Sequence, residues 1–241
     1  MTERFSASAA PRLMQCAASG NLDTTIPGWV PPVVDHSAGA KGQGTELHKV
    51  LESAMQFGAR DLTHIVAALE YVDGIRSRRR FKVLTEHTMT ADWLGVPDAP
   101  KTTVDLILYV QDEIHVIDYK TGRIPVNVFE NEQLMYYATC AAMTLAPQAK
   151  GVHLHIVQPW AGNGAGESWF CDSNRLNKFI IDARAAHQRV VNKAPQFKPG
   201  DHCTFCPANP QSRGDKGRPF CPAMMQLLYP SEVDEDGILG L

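Results

Sequence analysis

No run of residues in this chain is apolar over the ~20 positions that a membrane-spanning helix requires, so no transmembrane segment is expected. The first residues carry Glu3 and Arg4 and lack a continuous apolar stretch, which argues against a secretory leader. An excess of one charge is also missing: 23 Lys and Arg stand against 26 Asp and Glu, a net charge of −3. A nucleic-acid partner would therefore have to meet a local basic surface rather than a basic molecule. No Gly-rich phosphate loop ending in Gly-Lys-Ser/Thr occurs, so the chain is not expected to unwind a duplex with ATP. Internal repeats and long low-complexity tracts are absent as well, which excludes a solenoid.

What is present is an ordinary globular composition, 44% hydrophobic and 20% charged, with length enough for one full core and a small appendage. The expected setting is cytoplasmic. In that reducing compartment the six cysteines are more readily read as metal ligands than as disulfides.

Pattern along the chain predicts a short helix over Pro11–Ser19 and then an extended Gly/Pro/Ser-rich connection to residue 43. A helix follows over Gly44–Gly58, with His48 and Glu52 one turn apart. A second helix starts after Asp61 and runs into Arg76, Arg78, Arg79 and Arg80, a cluster suited either to phosphate contact or to a solvated helix end. Phe81–Thr90 reads as a strand containing Glu86, and 92–101 as a loop. After a hairpin come a helix over Glu130–Ala146, strands at Gly151–Gln158 and Ser168–Cys171, and a long helix from Ser173 to about Asn192. The tail from Pro195 is rich in Pro and Gly, and its last residues are acidic. This order fits an α/β domain with a mixed central sheet flanked by helices. Residues 1–43 read as an N-terminal segment with linker, 44–195 as the core, and 196–241 as a cysteine-rich C-terminal segment.

The stretch Val104–Gly122 organises the rest. Two apolar runs rich in Val, Ile and Tyr flank Gln111–Asp112–Glu113, the signature of a β-hairpin. Asp118 and Lys120, two apart, share one face of the second strand. A turn centred on Asp112–Glu113 would set Asp105 opposite Lys120 and diagonal to Asp118. Two carboxylates and an ammonium would then converge on a mostly apolar surface, an arrangement that costs several kcal/mol per buried ion unless something is gained from it. Paired carboxylates hold hard cations such as Mg²⁺, and an adjacent lysine can orient a water or offset phosphate charge. Together they suit metal-assisted phosphodiester hydrolysis. An ion pair on a solvated hairpin is the competing account.

Cys203 and Cys206 form a C-x-x-C, and Cys221 follows after fourteen residues. A fourth thiolate is needed to close a metal or cluster site; Cys16 is the candidate, with His202 the substitute in a zinc site. Cys140, mid-helix, and Cys171, at a strand end, read as buried small hydrophobes. His153 and His155 share a strand face but lack a third ligand of suitable spacing, and read as structural. The four tryptophans form no stacking pattern in the sequence.

Taken in order, Gly44-Thr-Glu-Leu-His48, Val104-Asp-Leu106, Ile117-Asp-Tyr-Lys-Thr-Gly122 and Gln133-Leu-Met-Tyr-Tyr137 resemble the motifs of the PD-(D/E)XK nuclease superfamily, in its RecB/AddB-like branch. The flanking Cys16, Cys203, Cys206 and Cys221 resemble that branch's iron–sulfur staple, and the likeness spans roughly residues 10 to 225. The resemblance implies a restriction-endonuclease-like core and a metal-dependent deoxyribonuclease, an exonuclease with single-stranded DNA the favoured substrate. It implies that His48, Asp105, Asp118 and the Tyr119 carbonyl bind Mg²⁺ or Mn²⁺, that Lys120 positions the attacking water, and that Gln133 and Tyr137 hold DNA and support the lysine. Glu86 would match a helper carboxylate. The four cysteines would hold a [4Fe–4S] cluster joining the two terminal segments, with zinc the alternative. A phage origin, a role in recombination or DNA processing, and a helicase or annealing partner also follow from it. Thr103 stands where the family often has Gly, and the Cys206–Cys221 spacing is longer than in many members. Two readings compete with the enzyme: a nuclease-fold protein that grips DNA without cutting, and a zinc-ribbon interaction protein.

Overall fold

The computed structural model describes residues 5–30, 49, 63–159, 161, 166–193, 196–209 and 220–228. The chain forms two compact units, one of residues 35–180 and one made from 1–34 together with 181–241.

The larger unit is an α/β structure on a five-stranded sheet. Its strands are β1 (Lys82–Thr90), β2 (Lys101–Tyr109), β3 (Ile114–Tyr119), β4 (Gly151–Val157) and β5 (Gly166–Asp172), in spatial order 1-2-3-4-5. All neighbours are antiparallel except β3 and β4, so the sheet is mixed. Parallel pairing needs a crossover, and the helix Glu132–Leu145 supplies it between those two strands. In chain order the described α-helices are α1 (Ala10–Gln15), α2 (Leu22–Thr25), α3 (Thr63–Arg76), α4 (Glu132–Leu145), α5 (Ser173–Val191) and α6 (Pro222–Leu228). α5 begins in the larger unit and ends in the smaller.

β3 is buried at every position, because helices cover both sides of the central strands. On one side Ala68, Leu69, Val72 and Ile75 of α3 pack on Leu106, Leu108, Ile117, Tyr119 and Val157. Strand alternation therefore turns Asp118 to the opposite side, where α4 lies. α4 is capped by Asn131, whose side chain accepts the Leu134 N–H at 3.1 Å, and it is buried from Leu134 through Ala141. Trp93, from the loop before β2, stacks edge-on against Tyr136 of α4 at 5.0 Å and donates its indole N–H to Cys140 Sγ at 3.2 Å. Burial pushes the Cys140 thiol up to about 11 and the Cys171 thiol up to about 12, so both behave as small apolar groups.

The hairpin differs from the sequence expectation by its turn. Leu106 pairs with Ile117 and Tyr109 with Ile114, and the Val110 N–H bonds the Glu113 carbonyl at 2.9 Å. The turn thus centres on Gln111–Asp112, one residue earlier than expected. Continued by one step, this register sets Asp105 against Asp118 rather than Lys120.

Two segments near the N-terminus also differ. The helix expected over Pro11–Ser19 stops at Gln15, because Cys16 is extended (φ −135°, ψ 98°), and resumes as a 3₁₀ turn over Ala17–Gly20. Within the stretch expected to be extended, Leu22–Thr25 is a helical turn whose Thr24 and Thr25 hydroxyls both donate to the Asn21 carbonyl. Of the expected helix over 44–58 only Lys49, which is helical, is described; His48 and Glu52 lie outside the described residues.

Gly151 opens β4 where no larger residue fits. A Cβ there would meet the Cys171 carbonyl oxygen at 2.4 Å and the Asp172 Cα at 2.8 Å, both main-chain atoms that cannot swing away. Gly151→Ala is expected to destabilise the protein by about 1–3 kcal/mol through overpacking. Urea unfolding would show this as a lowered midpoint with an unchanged slope.

Candidate functional site

The charged residues of the hairpin meet where the end of β3 lies beside the middle of β2. Asp105, half-buried near the middle of β2, accepts the Tyr119 N–H through Oδ2 at 2.6 Å. Asp118 is 4% exposed, and its Oδ2 lies 2.7 Å from Lys120 Nζ. Lys120 stands just past the strand, fixed by its own N–H to the Val157 carbonyl of β4 at 2.9 Å. Its ammonium also donates to Gln133 Oε1 at 3.3 Å, and Gln133 Nε2 donates to the Tyr137 hydroxyl at 2.7 Å. Gln133 and Tyr137 lie one turn apart on α4, which is why one side chain can serve the next. The structure thus brings together Asp105, Asp118, Lys120, Gln133 and Tyr137, and sets the Tyr119 main chain against Asp105.

The electrostatics follow from this crowding. Burial first, and then the Asp118 charge, hold the Asp105 carboxyl well above the usual carboxylate range; the Tyr119 N–H and Lys120 pull the other way. Glu86 of β1 adds to the same repulsion. It sits between Thr85, paired with Leu106, and His87, paired with Val104, so the row of carboxylates crosses three neighbouring strands. Glu86 has φ of +44°, a left-handed conformation inside a strand. Such backbone costs on the order of 1–3 kcal/mol and persists where the surroundings impose it, often at functional sites. Burial and the Asp118 charge also raise the Tyr137 hydroxyl above the usual phenol range, which keeps it protonated.

The segment between Lys120 and α4 is held at both ends. Gln158, 2% exposed at the end of β4, donates to the Gly122 and Ile124 carbonyls at 2.7 and 2.8 Å and accepts the Val126 N–H at 3.0 Å. Glu130, itself left-handed at φ +55°, is gripped by Arg175 through two parallel bonds, Nε to Oε1 at 2.7 Å and Nη2 to Oε2. Between these anchors Ile124 and Phe129 are exposed, and Phe129 stands edge-on to Trp169 of β5 at 5.0 Å. Trp169 is paired with Leu154, so it points to the side of the sheet that Asp118 faces. This aromatic pair joins residues forty apart and was not visible in the spacing of the tryptophans; Trp93 is buried, Trp29 packs beside the cysteines, and Trp160 lies outside the described residues.

In the smaller unit Cys16, Cys203, Cys206 and Cys221 line one small cavity together with Arg12, Lys198 and His202. The 3₁₀ turn Asp201–Phe205 shapes the C-x-x-C, and the Asn209 amide donates to the Cys203 carbonyl at 2.9 Å. Cys221 is brought alongside by its N–H to the Ala208 carbonyl at 2.9 Å. Cys16 joins them from the other end of the chain, its main chain bonded to the Ser19 hydroxyl at 2.6 Å. Burial raises the Cys206 thiol to about 11 and the Cys221 thiol in the same direction, so thiolates here need a compensating positive charge. Of the arginine cluster, Arg79 is bound to Asp112 and Glu113 at 2.9 and 2.8 Å, and Arg76 lies 3.6 Å from Asp73.

These features define an α/β protein with a mixed sheet, flanking helices, and a carboxylate–lysine cluster where the central strands end. The chain belongs to the family described as "Protein of unknown function (DUF2800)", whose model matches residues 94–238. Among solved structures it is similar to a candidate exonuclease from Eubacterium rectale, 13% identical over 94% of this chain and 93% of that one, with a TM-score of 0.49. It is also similar to the protein SSO0001, 11% identical over 81% of this chain and 80% of that one, with a TM-score of 0.38. At those scores neither likeness defines this chain's fold or chemistry.

Proposed function

We propose that this protein is a metal-dependent DNA nuclease of the PD-(D/E)XK type. The observation that carries the reading is the connected set Asp105, Asp118, Lys120, Gln133 and Tyr137. It joins every motif of the sequence resemblance that falls on described residues.

Glu86 and Asp118 both act on the Asp105 carboxyl, and the Lys120 ammonium lies against Asp118. The cluster's described donors are hard oxygens, which suits Mg²⁺ or Mn²⁺ and not a thiophilic metal, and His48 would add one imidazole nitrogen. Asp105, Asp118, the Tyr119 carbonyl and His48 are the residues proposed to hold such an ion, which would polarise a phosphate and lower the pKa of a bound water. The chain's own groups do the rest. Lys120, fixed by Asp118 and Gln133, presents a located ammonium to the attacking water and to developing phosphate charge. Gln133 keeps that ammonium from swinging to solvent, and the protonated Tyr137 keeps Gln133 in place.

The mode we propose is exonucleolytic, on single-stranded DNA. Phe129 is exposed and stands against the half-buried Trp169, which lies on the side of the sheet that carries Asp118, and stacking on such rings tolerates any base. Trp169→Ala is expected to weaken binding of a short oligothymidylate by about 5- to 150-fold, equivalent to about 1–3 kcal/mol for a stacked base. Fluorescence anisotropy in calcium buffer measures this without turnover. Equal affinity in the variant would remove the platform but leave the nuclease standing.

The cavity in the smaller unit has the donor chemistry for a [4Fe–4S] cluster or zinc, since four cysteines line it and cationic side chains beside them offset thiolate charge. We assign the iron–sulfur cluster to it as a structural staple. A phage setting, and work beside a helicase or annealing protein, complete the reading. Its test is degradation of end-labelled DNA with Mg²⁺ or Mn²⁺. Bound DNA with no products, in wild type as in Lys120→Ala, would leave a binding module instead.

A further inference from the structure

β3, which carries Asp118, and its parallel neighbour β4 hold a second cluster of donors on the other face of the sheet. His115 of β3 pairs with His153 of β4, and Ile117 pairs with His155. All three imidazoles therefore share the side of the sheet that α3 covers. The His115 and His153 rings are stacked, with centroids 4.6 Å apart. Glu113, two residues before His115, places Oε1 2.9 Å from His115 Nε2. The donor atoms of Glu113, His115 and His153 all lie within 4.8 Å of one another.

What surrounds these three residues is the outer shell a metal site requires. His115 Nδ1 meets His155 Nε2 at 2.9 Å, and His155 Nδ1 meets the Tyr71 hydroxyl at 2.9 Å. Glu113 Oε2, the oxygen turned away from His115, is taken by Arg79 at 2.8 Å. One ligand imidazole is thus backed by a hydrogen-bonded ring and the ligand carboxylate by a guanidinium, the partners that fix tautomer and orientation in ligating residues. Phe81 and Phe170 wall the cluster with ring contacts to His115 at 5.2 Å and to His153 at 4.8 Å. Burial lowers the basicity of all three rings, so they stand as neutral imidazoles with lone pairs to give.

We propose that Glu113 Oε1, His115 Nε2 and His153 form a binding site for a borderline divalent transition metal, zinc above all. Two imidazoles and one carboxylate with a fourth position open match the composition of open zinc sites. Zinc bonds of about 2.0–2.2 Å set neighbouring donors roughly 3.4 Å apart in a tetrahedron, so Glu113 and His115, now 2.9 Å apart, must open slightly while His153 draws in. His153 can do this, because it is half-exposed and its ring takes no hydrogen bond from the described residues. The relay adjusts without losing a proton. With metal on His115 Nε2, the His115 proton sits on Nδ1 and is donated to His155 Nε2. His155 in turn donates from Nδ1 to the Tyr71 oxygen. Each of the three groups keeps one proton.

The site is independent of the nuclease reading, since it uses none of the same side chains. Its test is zinc titration of the full-length protein, wild type and His153→Gln, by competition with a chromophoric chelator. Cysteine thiols not occupied by a cluster would compete for zinc, so the measured quantity is the difference: the variant should bind one equivalent fewer, or bind it at least 100-fold more weakly. Arg79→Met, a surface change, should weaken the same equivalent about 10- to 100-fold. Long-range ¹H–¹⁵N spectra of the histidine rings give a readout on wild type alone, needed should the His153 variant fail to fold. Zinc should shift the ring nitrogens of His115 and His153 and leave those of His187 in place. Unmoved His115 and His153 rings, with zinc taken by the thiols alone, would overturn the proposal, as would identical zinc uptake by a folded His153→Gln.

Discussion

Lys120→Ala is expected to reduce Mg²⁺-dependent DNA degradation by about 10²- to 10⁴-fold, the range for losing one positioned proton-transfer or charge-stabilising group. The ammonium lies 2.7 Å from Asp118 and is braced by Gln133, so its removal takes a located charge out of the site. Truncation also removes the ion pair to the buried Asp118, so circular dichroism and a melting curve must accompany the rate. Tyr137→Phe separates the two effects. It keeps the ring and the packing but removes the hydroxyl that holds Gln133 at 2.7 Å. Activity should fall roughly 2- to 13-fold, because a bond one step from the chemistry is worth about 0.5–1.5 kcal/mol. A Lys120→Ala protein that folds and still cuts within a few-fold of wild type would end the nuclease assignment.

Cys206→Ser should unfold the smaller unit. That unit has a modest core, with Leu22, Ile26, Ala208 and Met224 packed directly on Cys203, Cys206 and Cys221. A structural metal bound by thiolates is worth on the order of 10–16 kcal/mol of apparent binding free energy, while whole domains are stable by only about 5–15. Even a fraction of the first figure therefore decides the folding of this unit. Hydrogen exchange should show residues 5–30, 196–209 and 220–228 losing protection while the β3 and β4 amides keep theirs. Anaerobic wild-type protein should be brown and contain iron. Wild type with neither iron nor zinc, melting together with Cys206→Ser, would dispose of the staple.

The mixed sheet and its helices were legible because the strands and helices have clean periods and clear stops. The ends of α3, β1, α4, β4 and α5 fall within a few residues of the expected positions. What did not follow from the pattern was set by pairing. The turn slipped by one residue because Gln111, Asp112 and Glu113 are all acceptable in it, and only the register with β1 and β4 decides among them. The residue types of the carboxylate site were readable since they lie in short motifs, whereas their connection through Gln133 depends on where α4 crosses. The histidine cluster escaped for the same reason: Glu113 and His115 are some forty residues from His153, and only the parallel pairing of β3 with β4 brings them together. A signal was there to be used, as Glu-Ile-His and His-Leu-His are two donor pairs of identical spacing on strands buried in the sheet. Phe129 and Trp169 met in the same unforeseen way.

The smaller unit is assembled from 1–34 and 181–241, with the whole larger unit encoded between them. During translation the first of these pieces must wait for the second. At about 5–20 residues per second, that is roughly 7–30 s in which Cys16 has left the ribosome and its three partner thiols have not yet been made. The sheet can form in that interval. The terminal unit closes last, after Cys221 emerges; with the proposed cluster in place, iron supply to the nascent protein would govern its maturation while leaving the folding of the central strands untouched.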